Sequence, residues 1–150
     1  MEFPCDIFAP CALGAVLNAD TIPRLRCRAV VGAANNQLAD PADAVLLEAR
    51  GILYAPDFVV NAGGAIGVTG IESLGWTAQR AEREVLAISA TLSRVFDRAR
   101  ERGVTTDAAA RGLAEDRLRE AGTTGSKAGT DPGSGSTRRA VSGSGIGDAR

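Results

Sequence analysis

Histidine is absent from the chain, and lysine is absent from residues 1–120; the single lysine is Lys127. The stretch that could form a folded body therefore lacks two of the usual general bases. There are three cysteines, Cys5, Cys11 and Cys27, with no C-x-x-C spacing. An odd count so spaced argues against a disulfide framework and against a zinc site, and a reduced cytoplasmic protein is the default expectation. No apolar run approaches the length of a bilayer span, and no basic-then-apolar leader opens the chain. Net charge is -1 overall and +2 in residues 121–150, which leaves about -3 on residues 1–120. That balance argues against a nucleic-acid groove, which needs a clustered basic face.

The chain divides by composition. In residues 121–150, Gly, Ser and Thr supply 17 of 30 positions, and Val141 and Ile146 are the only large aliphatics. Such a segment buries too little apolar area to offset its ordering entropy, so it reads as a disordered tail behind one domain at 1–120.

Within the body, short apolar runs bounded by breakers predict strands at Cys5–Ala9, Arg28–Gly32 and Ile52–Ala55, with a further extended stretch at Phe58–Val60. A short apolar helix is expected at Ala12–Leu17. Asp40-Pro41 predicts an N-cap and first helical position for a helix ending at Gly51. Beyond Gly70 the pattern is helical: Val85, Ile88, Leu92, Val95, Phe96 and Ala99 recur at steps of three and four, opposite a solvated Arg/Glu face paired at i, i+4. Gly103 ends that long helix, and Thr106-Asp107 caps a last one over Ala108–Ala121, with Leu113 and Leu118 on its apolar side. Alternating strands and helices predict an α/β fold with a mainly parallel sheet.

Ligands of such sheets bind beyond the carboxyl ends of the strands. Here those ends carry Pro10-Cys11-Ala12-Leu13-Gly14, Gly32-Ala33-Ala34-Asn35-Asn36 and Asn61-Ala62-Gly63-Gly64. None holds a charge. Two readings are open. Asn and Gly gather at turns because they tolerate left-handed backbone. Alternatively, Asn35 and Asn61 hold a flat, neutral, amide-bearing ligand, since a carboxamide both donates and accepts. Cys11 reads as a small filler, because no basic neighbour would lower its pKa. Gly63-Gly64-Ala65-Ile66-Gly67 departs from G-x-G-x-x-G, and Gly122–Lys127 lacks the order of a phosphate loop.

Three ordered segments, Cys5–Gly14, Gly32–Leu38 and Tyr54–Gly64, together resemble the C-terminal half of the glutamate/leucine/phenylalanine/valine dehydrogenases over about residues 3–121, with the leucine and valine branch nearest. The resemblance implies the second half of a Rossmann-like, doubly wound sheet with flanking helices, followed by C-terminal helices. It implies reversible oxidative deamination of an L-amino acid, branched-chain by the nearer branch, to its 2-oxo acid, with NAD as hydride acceptor. Cys11, Ala12 and Leu13 would line the nicotinamide and ribose site. Asn35 and Asn61 would hold the nicotinamide carboxamide, Asn36 would shape the same loop, and Ala65 and Val68 would line the substrate pocket. Family members usually carry a larger aliphatic at the place of Ala65, and Thr69–Leu74 departs from their continuation.

The resemblance assigns no catalytic residue to this chain. The family's catalytic lysine and aspartate, and its G-x-G-x-x-G turn, lie ahead of the matched region, in keeping with a lysine-free body. The expectation is a nicotinamide-side half, inactive alone, with a homo-oligomer or an N-terminal half supplied in trans as its partner. The alternative is a non-catalytic interaction module built on the open strand edge at Cys5–Ala9.

Overall fold

The structure, a computed structural model, describes residues 2–125. Three two-residue strands, β1 (Ile7–Phe8), β2 (Ala29–Val30) and β3 (Leu53–Tyr54), form a parallel sheet in the order β1-β2-β3. Ile7, Ala29 and Leu53 stand in register, as do Phe8, Val30 and Tyr54. Backbone bonds carry the pairing past the strands: Cys5 N–H donates to Arg26 O, Val31 N–H to Phe8 O and Ala55 N–H to Val30 O, each at 3.0 Å. The mixed α/β class expected from the sequence is what forms.

Helix α1 (Asp43–Ala49) crosses from β2 to β3. Asp40 Oδ1 accepts the Ala42 N–H at 2.8 Å ahead of it, and Gly51 stops it at φ 66°. The row Phe8–Val30–Tyr54 faces α1 and a short 3-10 turn (Ile22–Arg24), closing a core of Leu17, Ile22, Leu25, Val30, Leu47, Ile52 and Tyr54. Burying one such side chain is worth roughly 1.5–3 kcal/mol.

A helical layer follows: α2 (Asp57–Val60), α3 (Gly63–Val68), α4 (Ala78–Leu86), α5 (Ile88–Arg102) and α6 (Thr106–Gly125). α5 and α6 bury a second cluster of Val95, Ala99, Ala109 and Ala110, flanked by Leu113, and the Arg98–Asp116 ion pair at 2.7 Å spans them. Gly103, at φ 62°, ends α5 as expected. Among the described residues no helix is long and apolar enough to cross a membrane.

Five local expectations are corrected. Ala12–Leu17 is an irregular loop, because its backbone bonds to the next loop instead of to itself: Leu17 N–H donates to Gln37 O and Ala39 N–H to Leu17 O, both at 2.9 Å. Phe58–Val60 is helical: it forms a short turn with Asp57, whose carbonyl accepts the Asn61 N–H at 2.9 Å and whose carboxylate accepts the Phe58 N–H at 2.7 Å. The long helix is two, parted at Ala87 and preceded by a π-helical turn at Thr69–Ser73. Leu118 is exposed, while Leu113 packs. Finally, α6 runs on to Gly125, past the expected end at Ala121. The rest of the Gly/Ser/Thr-rich segment, residues 126–150, lies outside the described residues.

Candidate functional site

The loops after β1 and β2 are bound together. Ala15 N–H donates to Asn36 O at 2.6 Å and Ala34 N–H to Pro10 O at 2.9 Å. Gly14 sits so close to the second loop that a Cβ would lie 2.9 Å from Asn35 O. Asn36 has φ 52°, so the left-handed turn reading of asparagine applies to it.

Asn35 and Asn61 behave differently. Neither has positive φ, and their side chains meet across two strand ends, with Asn61 Nδ2 donating to Asn35 Oδ1 at 2.5 Å. Asn61 is placed by the turn of α2, where its N–H donates to Asp57 O at 2.9 Å. Both amides open on a cavity of about 950 Å³ that Asn36, Ala65, Phe58 and Arg111 also line. Among the described residues the pair leaves the Asn35 Nδ2 hydrogens and the Asn61 Oδ1 without a bond, which is one donor face and one acceptor for an incoming primary amide.

Not every expected residue gathers there. Cys11, Ala12 and Leu13 are exposed on the neighbouring loop and do not line this cavity. Val68, at the end of α3, is also exposed and outside it.

Four residues of the cavity wall carry chemistry that sequence reading passed over. Asp57 is buried, and its Oδ2 accepts the Gln37 N–H at 2.9 Å. The Tyr54 hydroxyl accepts the Asp57 N–H at 3.3 Å; burial, and then the Asp57 charge, push this phenol well above the ordinary tyrosine range. Asp107, also buried, accepts from Arg111 Nε at 2.7 Å, and that guanidinium lies 5.3 Å from the Phe58 ring centre. Tyr54 and Asp57 stand inside a recognised segment, so their types were visible; Asp107 and Arg111 are some fifty residues away in sequence, and only the packing of α6 brings them in.

Residues 1–124 match the Glutamate/Leucine/Phenylalanine/Valine dehydrogenase family. A leucine dehydrogenase from Thermoactinomyces intermedius is 47% identical over 117 residues, 78% of this chain and 32% of that protein. A valine dehydrogenase from Streptomyces coelicolor is 51% identical over 116 residues, 77% of this chain and 32% of that protein. The crystal structure of L-tryptophan dehydrogenase from Nostoc punctiforme superposes with a TM-score of 0.75 at 48% identity, over 79% of this chain and 35% of that one. The chain spans about a third of the length of the curated relatives it matches. It belongs to the glutamate/leucine/phenylalanine/valine dehydrogenase family.

Proposed function

We propose that residues 1–120 form the nicotinamide-side half of a Rossmann-like unit in an NAD-dependent amino-acid dehydrogenase, one that deaminates a branched-chain L-amino acid to its 2-oxo acid. The observation that carries this reading is the Asn61–Asn35 pair, 2.5 Å apart across two neighbouring strand ends. Its free donor and acceptor complement the cofactor's carboxamide. Held by Asn35 and Asn61, NAD would supply the hydride acceptor for oxidation at the amino acid's α-carbon. This chain's part would be to bind and orient the ring: Asn35 and Asn61 by hydrogen bonds to its carboxamide, Asn36 by shaping the loop. Ala65 on the cavity wall would border the substrate side chain; Cys11, Ala12 and Leu13 on the first loop and Val68 at the end of α3 lie outside this cavity, and by family resemblance they would complete the nicotinamide–ribose site and the substrate pocket from its rim.

Residues 1–120 hold no lysine or histidine to serve as the base, and the carboxylates at the cavity wall are engaged, Asp57 by the Gln37 and Phe58 N–H groups and Asp107 by Arg111, so the proposal places the proton-handling groups in another part of the assembly. The test is incubation of the purified chain with leucine or valine and NAD, alongside NAD binding by calorimetry. NAD binding without turnover is expected; strong NADH production by the isolated chain overturns the assignment of the chemistry elsewhere.

A second reading, an interaction module or complementing subunit, is favoured by the sheet itself. Ile7 and Leu53, in register on one face, remain exposed at 58% and 47%, and β1 is an open edge. Parallel sheets are ordinarily covered on both faces. A second copy or a separately supplied N-terminal half would cover this row, and light scattering with and without that half distinguishes them.

A further inference from the structure

We propose that Asp57, acting with Gln37, is the positioning residue of the amide cradle: one buried carboxylate sets the separation and aim of Asn35 and Asn61. This rests on the reading that those two amides receive the cofactor.

Asp57 touches neither amide side chain, yet it is bonded to the segments that bear both. Its Oδ2 accepts the N–H of Gln37, two residues beyond Asn35, at 2.9 Å. Its Oδ1 accepts the Phe58 N–H at 2.7 Å, and its carbonyl accepts the Asn61 N–H at 2.9 Å, so the same residue starts and holds the turn that ends in Asn61. Both carboxylate oxygens are therefore committed, one to each arm.

Gln37 completes the link. It is fully buried, and its Nε2 donates to Gly32 O at 2.8 Å and Ala34 O at 2.9 Å, closing the loop just before Asn35. Its Oε1 is buried with no partner among the described residues. An unsatisfied buried acceptor is unfavourable, and it is retained here because turning the amide to satisfy it would release both carbonyls. The loop is thus clamped internally by Gln37 and fastened to α2 by Asp57. The two-point bond explains how exposed Asn35 and half-buried Asn61, 26 residues apart, come to lie within hydrogen-bond distance.

Asp57→Asn tests the link without changing shape. One oxygen becomes an NH2 group, so either the Gln37 or the Phe58 N–H faces a donor, and one arm is released. The experiment uses the full chain, labelled with 15N, and follows the side-chain NH2 resonances of Asn35 and Asn61 before and during titration with NAD. In Asp57→Asn both resonances are expected to move before any NAD is added, and NAD affinity to fall about tenfold or more, as for loss of a buried charged hydrogen bond. Gln37→Leu, which fills the same space and removes the orphan acceptor, keeps the test available if Asp57→Asn unfolds, and it too should displace the Asn35 resonance. Ile52→Val, in the core at the far end of β3, should lower stability and leave both resonances in place. If Asp57→Asn or Gln37→Leu is folded and leaves the two resonances unmoved and NAD affinity within about twofold of the parent chain, Asp57 does not position the cradle. If NAD shifts neither resonance in the parent chain, the cofactor reading fails, while the comparison without NAD still decides the positioning.

Discussion

Tyr54 is the only tyrosine in the chain, and it is 3% exposed with its hydroxyl accepting the buried Asp57 N–H. Ionising it in place would put a second negative charge beside Asp57 in a poorly solvated site. Its folded pKa is accordingly raised, by burial first and then by Asp57. The unfolded chain releases this proton near the ordinary value of 10.0, while the folded chain keeps it to higher pH. Above that value the native state binds more protons than the unfolded state, so stability falls as pH rises, by about 1.4 kcal/mol per pH unit. Tyr54→Phe removes this slope. It also strands the Asp57 N–H, at a cost of about 1–3 kcal/mol at neutral pH. Other alkaline titrations are common to both proteins and cancel in the difference. The gap in urea-unfolding free energy between parent and variant should therefore narrow by about 1.4 kcal/mol from neutral pH to one unit above the ordinary phenol value. Phenolate absorbance should appear only with unfolding. A phenolate signal near the ordinary value with the fold intact, or a gap that does not change with pH, would refute the reasoning.

Four further outcomes follow from packing and burial. A Cβ on Gly32 would overlap the carbonyl and ring of Pro10, so Gly32→Ala should cost about 1–3 kcal/mol or more in a urea melt. Gly64, inside α3 with nothing within 4 Å of an added Cβ, should gain about 0.5–1 kcal/mol as alanine. Leu47→Ala should lose about 2–5 kcal/mol, since Leu47 is fully buried in the sheet core; a loss well below that range would mean the site collapses around the gap. Iodoacetamide should alkylate exposed Cys5 and Cys11 before half-buried Cys27, whose thiol is pushed up by burial and by its neighbour Cys5. Peptide mass spectrometry reads the order, and equal rates for all three would contradict it.

Much of this protein was legible in its residues. The three apolar runs between breakers became the three strands, Gly51 and Gly103 ended helices, and the three motifs identified the family. Those features depend on local chemistry: side-chain periodicity, capping, and the backbone freedom of glycine. The misread segments have non-local causes. Ala12–Leu17 is apolar enough to form a helix, but the Ala15 and Leu17 N–H groups and the Leu17 carbonyl find partners twenty or more residues away, which no local pattern encodes. Phe58–Val60 is β-branched and aromatic, yet it is wound into a helical turn with Asp57, whose carboxylate binds the N–H groups of Phe58 and of distant Gln37.

The site divides in the same way. Its amides, the lack of charge at the strand ends and the absence of lysine and histidine from residues 1–120 are properties of composition and order, and the sequence alone determines them. The meeting of Asn35 with Asn61, the assignment of Asn36 to a turn, and the arrival of Asp107 and Arg111 at the cavity wall were decided by tertiary structure. The reason is physical: a hydrogen bond between residues far apart in the chain forms only after packing has brought their segments together, and packing depends on the whole core.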